Sequence, residues 1–218
     1  MSRKRVAVLI SGRGSNMAAL IEAAAAPDYP AEIAIVVANR ANAAGLKIAE
    51  TAGVATLVVD HTRYGKDREA FERAIDAALA AGRIELVCLA GFMRLLTPWF
   101  VRRWEGRLIN IHPSLLPAFK GLDTHARALE AGAAVHGASV HFVVPEVDSG
   151  PVIMQARVPV VAGDTPDTLA QRVLAAEHRL YPLALKLVAE GRVRIVDGRC
   201  LIDGAGAEGV RMGPPSPT

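Results

Sequence analysis

The sequence predicts an α/β protein built on an open, mostly parallel twisted sheet flanked by helices, with antiparallel strands added in the C-terminal half. Three observations predict it. Short apolar runs rich in valine and isoleucine recur at residues 6–10, 33–37, 55–59, 86–90 and 108–111, and alanine-rich segments of helical character lie between them at 17–25, 44–52, 67–81 and 98–104. The runs lack polar alternation, which marks strands buried on both faces and hence a parallel sheet covered by helices. After Pro117 the rhythm changes to two alternating runs, 139–143 and 152–156, joined by a loop containing proline and glycine; these read as adjacent antiparallel strands extending the sheet. The architecture is Rossmann-like, and its ligands belong beyond the carboxyl ends of the parallel strands.

The remaining elements follow from local chemistry. A loop through Lys120 and Gly121 leads into a helix over 124–130. A long helix is expected over 166–190, with Thr165 or Asp164 as its cap and Pro166 just inside its start. Pro182 is expected to kink or interrupt that helix, because its ring removes a backbone donor. Gly191 is a natural stop, and 192–202 reads as a hairpin around Asp197-Gly198. Residues 204–218 are dominated by glycine and proline and are expected to form a disordered tail. No internal repeat is present. Residues 1–203 are expected to form a single domain, with halves meeting at about 110.

Composition removes several function classes. With 218 residues the chain can bury a substantial core. Aromatics are 5% of it, too few for stacking platforms along single-stranded nucleic acid, and the formal charge of +3 comes from scattered rather than clustered basic residues. Neither nucleic acid nor a membrane is expected as a partner; small molecules are. Cys88 lies in an apolar run and Cys200 near the chain end, with no spacing for zinc or redox chemistry. The five residues before the first apolar run are too few for a signal peptide, and no apolar stretch reaches the length of a membrane span. A soluble protein of the reducing cytoplasm, monomeric or homodimeric, is the expectation.

Two motifs carry chemistry. The first strand ends in Ser11-Gly12-Arg13-Gly14-Ser15-Asn16, where glycines permit a tight turn and the freed amides of a helix start form an anion site. It lacks the third glycine of a dinucleotide fingerprint and the Lys-Ser/Thr of a P-loop. Phosphate binding and an ordinary strand-to-helix turn both remain open there. The second motif is Asn110-Ile111-His112-Pro113-Ser114-Leu115-Leu116-Pro117. Side chains two apart on a strand point to the same side, so an amide donor stands beside a proton carrier at the end of the sheet where ligands bind. With a carboxylate to orient the imidazole, the set contains what acyl transfer needs. A structural strand histidine followed by a proline-stiffened turn is the alternative. Asp148, in Val147-Asp148-Ser149-Gly150-Pro151, is either that carboxylate or a turn residue, and Glu177 is either a ligand or a solvated helix charge. His125, His136 and His141 read first as structural. No cluster has metal-ligand spacing.

These motifs, together with Leu89-Ala90-Gly91-Phe92-Met93-Arg94 and Gly137-Ala138-Ser139-Val140-His141-Phe142-Val143, closely resemble the folate-dependent phosphoribosylglycinamide formyltransferases of purine synthesis over about residues 5–203. The resemblance implies transfer of the formyl group of 10-formyltetrahydrofolate to the glycine amine of 5-phosphoribosylglycinamide, with no metal. It makes Asn110, His112 and Asp148 the catalytic set. Gly14, Ser15 and Asn16 would hold the substrate phosphate, and Leu174, Ala175, Ala176 and Glu177 would meet the ribonucleotide, Glu177 at its ribose hydroxyls. Arg68, Met93, Arg94, Leu95, Leu96, Val144, Pro145, Glu146, Val147 and Asp148 would line the folate pocket. The ribonucleotide then belongs to the half before 110, and the folate and catalysis to the half after it. Relatives of this fold also imply a cis bond at Leu116-Pro117. Two rivals share the catalytic residues: methionyl-tRNA formyltransferase, which carries a further nucleic-acid-binding domain, and formyltetrahydrofolate deformylase, which carries an added N-terminal regulatory domain. A catalytically silent folate- or nucleotide-binding module is a rival of another class.

Overall fold

The computed structural model describes residues 3–204 and, as backbone, 211–212. It divides into two compact units, Met1–Asn110 and Ile111–Thr218. The fold is the expected one, a mostly parallel sheet flanked by helices with antiparallel strands towards the C-terminus.

In the first unit the chain runs β1 (Lys4–Ile10), α1 (Ser15–Ala24), β2 (Ala31–Ala38), α2 (Gly45–Thr51), β3 (Ala55–Val58), a 3-10 turn (His61–Tyr64), α3 (Arg68–Ala81), β4 (Leu86–Leu89) and α4 (Pro98–Arg103), and then enters β5 (Leu108–His112). All pairings are parallel: β1 lies between β2 and β4, β2 pairs outward with β3, and β4 pairs outward with β5. Val6, Ala7, Val8, Leu9 and Ile10 are fully buried, as a strand flanked on both sides and covered on both faces must be. From β1 the chain builds the sheet in one direction to β3, then returns to β4 and builds the other way. The crevice beyond the carboxyl ends of β1 and β4 is therefore the topological switch point. Helix α1 packs on α2, and α3 on α4 and the 3-10 turn. Asp67 caps α3 by accepting the Ala70 N–H at 2.9 Å, and Phe71, Ile75 and Leu79 recur at helical spacing on its buried face.

The second unit holds α5 (Thr124–Glu130), β6 (Val135–Phe142), β7 (Val152–Pro159), α6 (Pro166–Ala189), β8 (Val193–Val196), β9 (Arg199–Ile202) and β10 (Arg211–Met212). Strands β6 and β7 pair antiparallel with an irregularity between Val140 and His141, while β8 and β9 form the expected hairpin. Leu169, Val173, Ala176, Leu180 and Ala184 form the buried stripe of α6, which packs on β6 and β7. Thr165 is its cap, in a reciprocal capping box with Thr168.

Two expectations need adjustment, and one element is additional. Pro182 does not interrupt α6, which stays helical from Pro166 to Ala189. The proline removes one helical donor, but Leu180, Tyr181, Ala184 and Leu185 around it are fully buried, and burial on that scale outweighs one missing hydrogen bond. The 3-10 turn at His61–Tyr64 was unforeseen, since it rests on Asp60 accepting the Thr62 N–H rather than on any apolar period. Of the segment 204–218, residues 211–212 form a two-residue strand parallel to β7; 205–210 and 213–218 lie outside the described residues. Among the described residues, no helix is long and apolar enough to cross a membrane.

Candidate active site

In the first unit the switch point is a cavity of about 320 Å³ lined by Ser11, Gly12, Arg13, Gly14, Ser15 and Asn16 after β1, Arg40 after β2, and Ala90, Gly91 and Met93 after β4. Gly14 is the N-cap of α1 at φ 75°, and no side chain caps the helix. A helix start with no side-chain cap at its N-cap is the arrangement that receives an anion. The loop needs glycine for space as well as conformation: a Cβ on Gly14 would lie 2.8 Å from Cα of Gly45, the first residue of α2. Gly45 in turn donates its N–H to the Gly12 carbonyl at 3.0 Å. The structure thus joins Gly14, Ser15 and Asn16 with Met93 around one cavity. Sequence reasoning missed Gly45, whose only signal is its place at a helix start.

The segment after β4 is mostly exposed. Met93 is 64% and Leu95 63% accessible, with Arg94 and Leu96 half-buried. Arg68, the first residue of α3, is exposed and does not line the cavity. Just beyond this segment Glu72, 1% accessible, accepts the Thr97 N–H at 2.7 Å and the Thr97 hydroxyl as well. Burial raises its carboxyl above the usual range, against the lowering effect of the two Thr97 hydrogen bonds. This carboxylate was not singled out from the sequence, where it lies in an ordinary charged helix.

Strand β5 carries Asn110, half-buried, and His112, 5% accessible. In the second unit the His112 ring meets two acceptors. Its Nε2 lies 3.0 Å from the Phe119 carbonyl, and its Nδ1 lies 3.4 Å from Oδ2 of Asp148. Each ring nitrogen of His112 thus has an oxygen acceptor beside it. Asp148 is placed by its backbone and by a neighbour: it adopts φ 49°, and Oδ2 accepts the Gly121 N–H at 2.9 Å. Gly150, two residues on, admits no side chain, because a Cβ there would fall 1.8 Å from the Phe142 carbonyl oxygen. His141 Nε2 is 3.7 Å from the other Asp148 oxygen. It is 2% accessible, and burial lowers its affinity for a proton. The irregularity in β6 beside it is the kind that re-aims a side chain, whereas a strict period-two reading makes His141 read first as structural.

The loop after β5 is held from several sides. Ser139 Oγ accepts the Leu116 N–H at 3.0 Å and donates to the Ser114 carbonyl at 2.6 Å. Gln155 Nε2 donates to the Leu116 carbonyl and to Ser139 Oγ, each at 2.9 Å. Thr124 closes the turn on the Pro113 carbonyl at 2.7 Å, and the Leu116-Pro117 bond is cis. His136 is 1% accessible, edge-on to both His125 and Phe119, with its proton affinity pushed down to about 4, chiefly by burial. Val144 is half-buried, Pro145 and Glu146 are exposed, and Val147 is 51% accessible. On α6, Leu174 is half-buried and Ala175 exposed, while Ala176 and Glu177 are buried, Glu177 at 6%. Glu177 is therefore not the solvated charge that its place in a helix suggests. Among the described residues, no three His, Cys, Asp or Glu side chains are grouped to hold a metal ion.

Comparison with known proteins assigns the family. Residues 4–185 match the family model described as formyl transferase. The chain belongs to the formyl transferase family. It is 45% identical to phosphoribosylglycinamide formyltransferase of Escherichia coli (strain K12), over 91% of this chain and 93% of that one. It is also 53% identical to the trifunctional purine biosynthetic protein adenosine-3 of Gallus gallus, over 89% of this chain. It spans only 19% of that much longer relative. Among solved structures, phosphoribosylglycinamide formyltransferase from Anaplasma phagocytophilum superposes with a TM-score of 0.88 at 42% identity, covering 98% of this chain and 100% of that one. These formyl transferases share the sheet described above, with its antiparallel strands near the C-terminus.

Proposed function

We propose that this enzyme transfers the formyl group of 10-formyltetrahydrofolate to the glycine amine of 5-phosphoribosylglycinamide, in the purine pathway of the cytoplasm. The observation that carries the reading is the His112–Asp148 pair, 3.4 Å apart and nearly buried, in a chain that aligns with almost the whole length of the Escherichia coli enzyme. The neutral amine attacks the formyl carbon and creates a tetrahedral oxyanion, which the Asn110 amide and a protonated His112 stabilise as charge develops. Asp148 holds the imidazolium and, through a water, relays the proton lost by the amine to the folate nitrogen as the bond from that nitrogen to the formyl carbon breaks. No covalent enzyme intermediate forms.

The binding residues follow the same reading. The amides of Gly14, Ser15 and Asn16 take the phosphate, and the buried Glu177 carboxylate, with Leu174, Ala175 and Ala176 beside it, takes the ribose hydroxyls. Met93 and Leu95 keep large apolar side chains in water, as does Val147, and for each the cost is offset when a flat apolar ring covers it. Arg94, Leu96, Val144, Pro145 and Glu146 complete the folate contacts, and the exposed Arg68 suits the carboxylates of a folate tail. The test is a coupled-product assay with purified protein and 10-formyltetrahydrofolate, with and without the ribonucleotide. Tetrahydrofolate release that requires the ribonucleotide and equals formamide formed is the expected result. Release without it would make the protein a hydrolase, and binding without release a silent module.

A further inference from the structure

The segment that leaves β4 is exposed at Met93 and Leu95, yet it is tied at both ends by buried side chains of its own unit. At its head the Ser11 hydroxyl, on a residue 4% accessible, accepts the Met93 N–H at 2.7 Å, while the Ser11 N–H donates to the Gly91 carbonyl at 3.1 Å. At its tail both oxygens of Glu72 are engaged by Thr97, through its N–H and its hydroxyl. Thr97 in turn caps α4. A carboxylate this buried costs more than the apolar side chain that would fill the same space, and stability alone does not favour it there. What a carboxylate supplies and an apolar residue cannot is a directional grip on the backbone. The four residues between the two grips are Met93, Arg94, Leu95 and Leu96.

We propose that Ser11 and Glu72 are positioning residues that fix the Met93–Leu96 backbone in the arrangement that receives the folate substrate. This rests on the reading of that segment as folate-contacting. The two grips remove from the free protein the conformational freedom that binding would otherwise have to remove, so their loss appears in folate affinity rather than in chemistry. Ser11 also opens the loop that lines the phosphate cavity, so one hydroxyl sets the position of two substrate-facing segments of the same unit.

The experiment is steady-state kinetics and thermal unfolding of the intact chain carrying Glu72→Ala, Glu72→Gln or Ser11→Ala. For Glu72→Ala the expected result is a rise of about fivefold to tenfold in KM for 10-formyltetrahydrofolate, the ratio one or two buried hydrogen bonds support, and for Ser11→Ala the same rise accompanied by a rise in KM for the ribonucleotide. kcat should stay within about twofold. Glu72→Gln should lie near wild type, because its amide can accept from the Thr97 N–H and donate to the Thr97 hydroxyl. A merely structural role would instead lower the melting temperature and the active fraction with KM unmoved. Folded variants with unchanged folate KM, or a Gln variant as impaired as the Ala variant, overturn the proposal. Calorimetry with 5-formyltetrahydrofolate separates this from the functional reading. If the wild type binds that folate but does not turn over 10-formyltetrahydrofolate, the formyl transfer reading fails and the grips are still judged by the variants' affinity. If the wild type binds no folate, both fall.

Discussion

The glycine loop of the first unit, proposed to hold the phosphate, and the His112–Asp148 pair of the second are made of different materials. The loop works with backbone: Gly14 at positive φ, an uncapped helix start, and a neighbouring helix so close that Gly14 and Gly45 leave no room for Cβ atoms. The pair works with titratable side chains that are nearly buried and held by backbone groups, the Phe119 carbonyl for His112 and, 27 positions away in sequence, the Gly121 N–H for Asp148. Backbone dipoles bind an anion at any ordinary pH and tolerate exposure. Side chains that must carry a proton need burial, an orienting acceptor and a fixed loop. Substitutions in the two regions should therefore fail differently.

The largest effect belongs to the pair. Asp148→Asn keeps a residue that tolerates positive φ and retains an oxygen for the Gly121 N–H, so it should fold with a near-normal melting temperature. It removes the charge facing His112 Nδ1. Turnover should fall by about two to four orders of magnitude, and Asn110→Ala should cost about two to three by loss of an oxyanion donor. Near-normal kcat in either purified variant would contradict the assignment of Asp148 or Asn110 to the chemistry.

Next is the loop. Gly14→Ala forces a side chain into a left-handed conformation, a cost of about 1 to 2 kcal/mol, and against the Gly45 backbone, 2.8 Å away. The loop must shift, and the shift should raise KM for the ribonucleotide at least tenfold while kcat at saturation changes by less than about threefold. A fall in kcat with unchanged KM would show that the loop takes part in chemistry and would erase the contrast.

How much of this could be read from the sequence follows the same division. The parallel strands, the long helix with its Thr165 cap and the loop at Gly14 are local signals, so periodicity and turn chemistry placed them. Asn110 and His112 were legible because a strand fixes their relative direction. That Asp148 reaches His112 was not, since the contact depends on how β6, β7 and the loop between them fold back. His141 was set aside because alternation in an apolar strand is the ordinary mark of a structural residue, and the irregularity at Val140–His141 has no sequence signature. Ser139, Gln155 and Glu72 are polar residues whose partners lie sixteen or more positions away. Local pattern cannot distinguish such residues from surface ones.

A smaller effect concerns stability and pH. His136 binds its proton at about 4 in the folded chain, against 6.5 when unperturbed. The unfolded chain therefore binds more protons between those values, and folding is favoured by the neutral ring. The contribution is complete above about pH 6.5 and is lost as pH falls towards 4. Wild-type protein should lose more of its urea midpoint between pH 7.5 and 4.5 than His136→Phe, whose ring has no proton to take up. Equal losses would place the acid sensitivity elsewhere.

The smallest effect sharpens the comparison from the loop side. Arg13 and Arg40 line the cavity proposed for the phosphate but are exposed, so solvent and salt screen whatever they add to the amides. Arg40→Ala should raise KM for the ribonucleotide by no more than about threefold to fivefold at low salt. The increase should shrink as sodium chloride is raised past about 0.15 M, where the Debye length falls below about 8 Å. An acceptor lacking the 5-phosphate should be used equally well, or equally badly, by wild type and variant. If Arg40→Ala instead weakens the phosphorylated acceptor a hundredfold and salt does not soften the loss, the guanidinium is a desolvated partner of the phosphate. The cavity would then be built of side chains as much as of backbone, and the two regions would be less different than their exposure makes them.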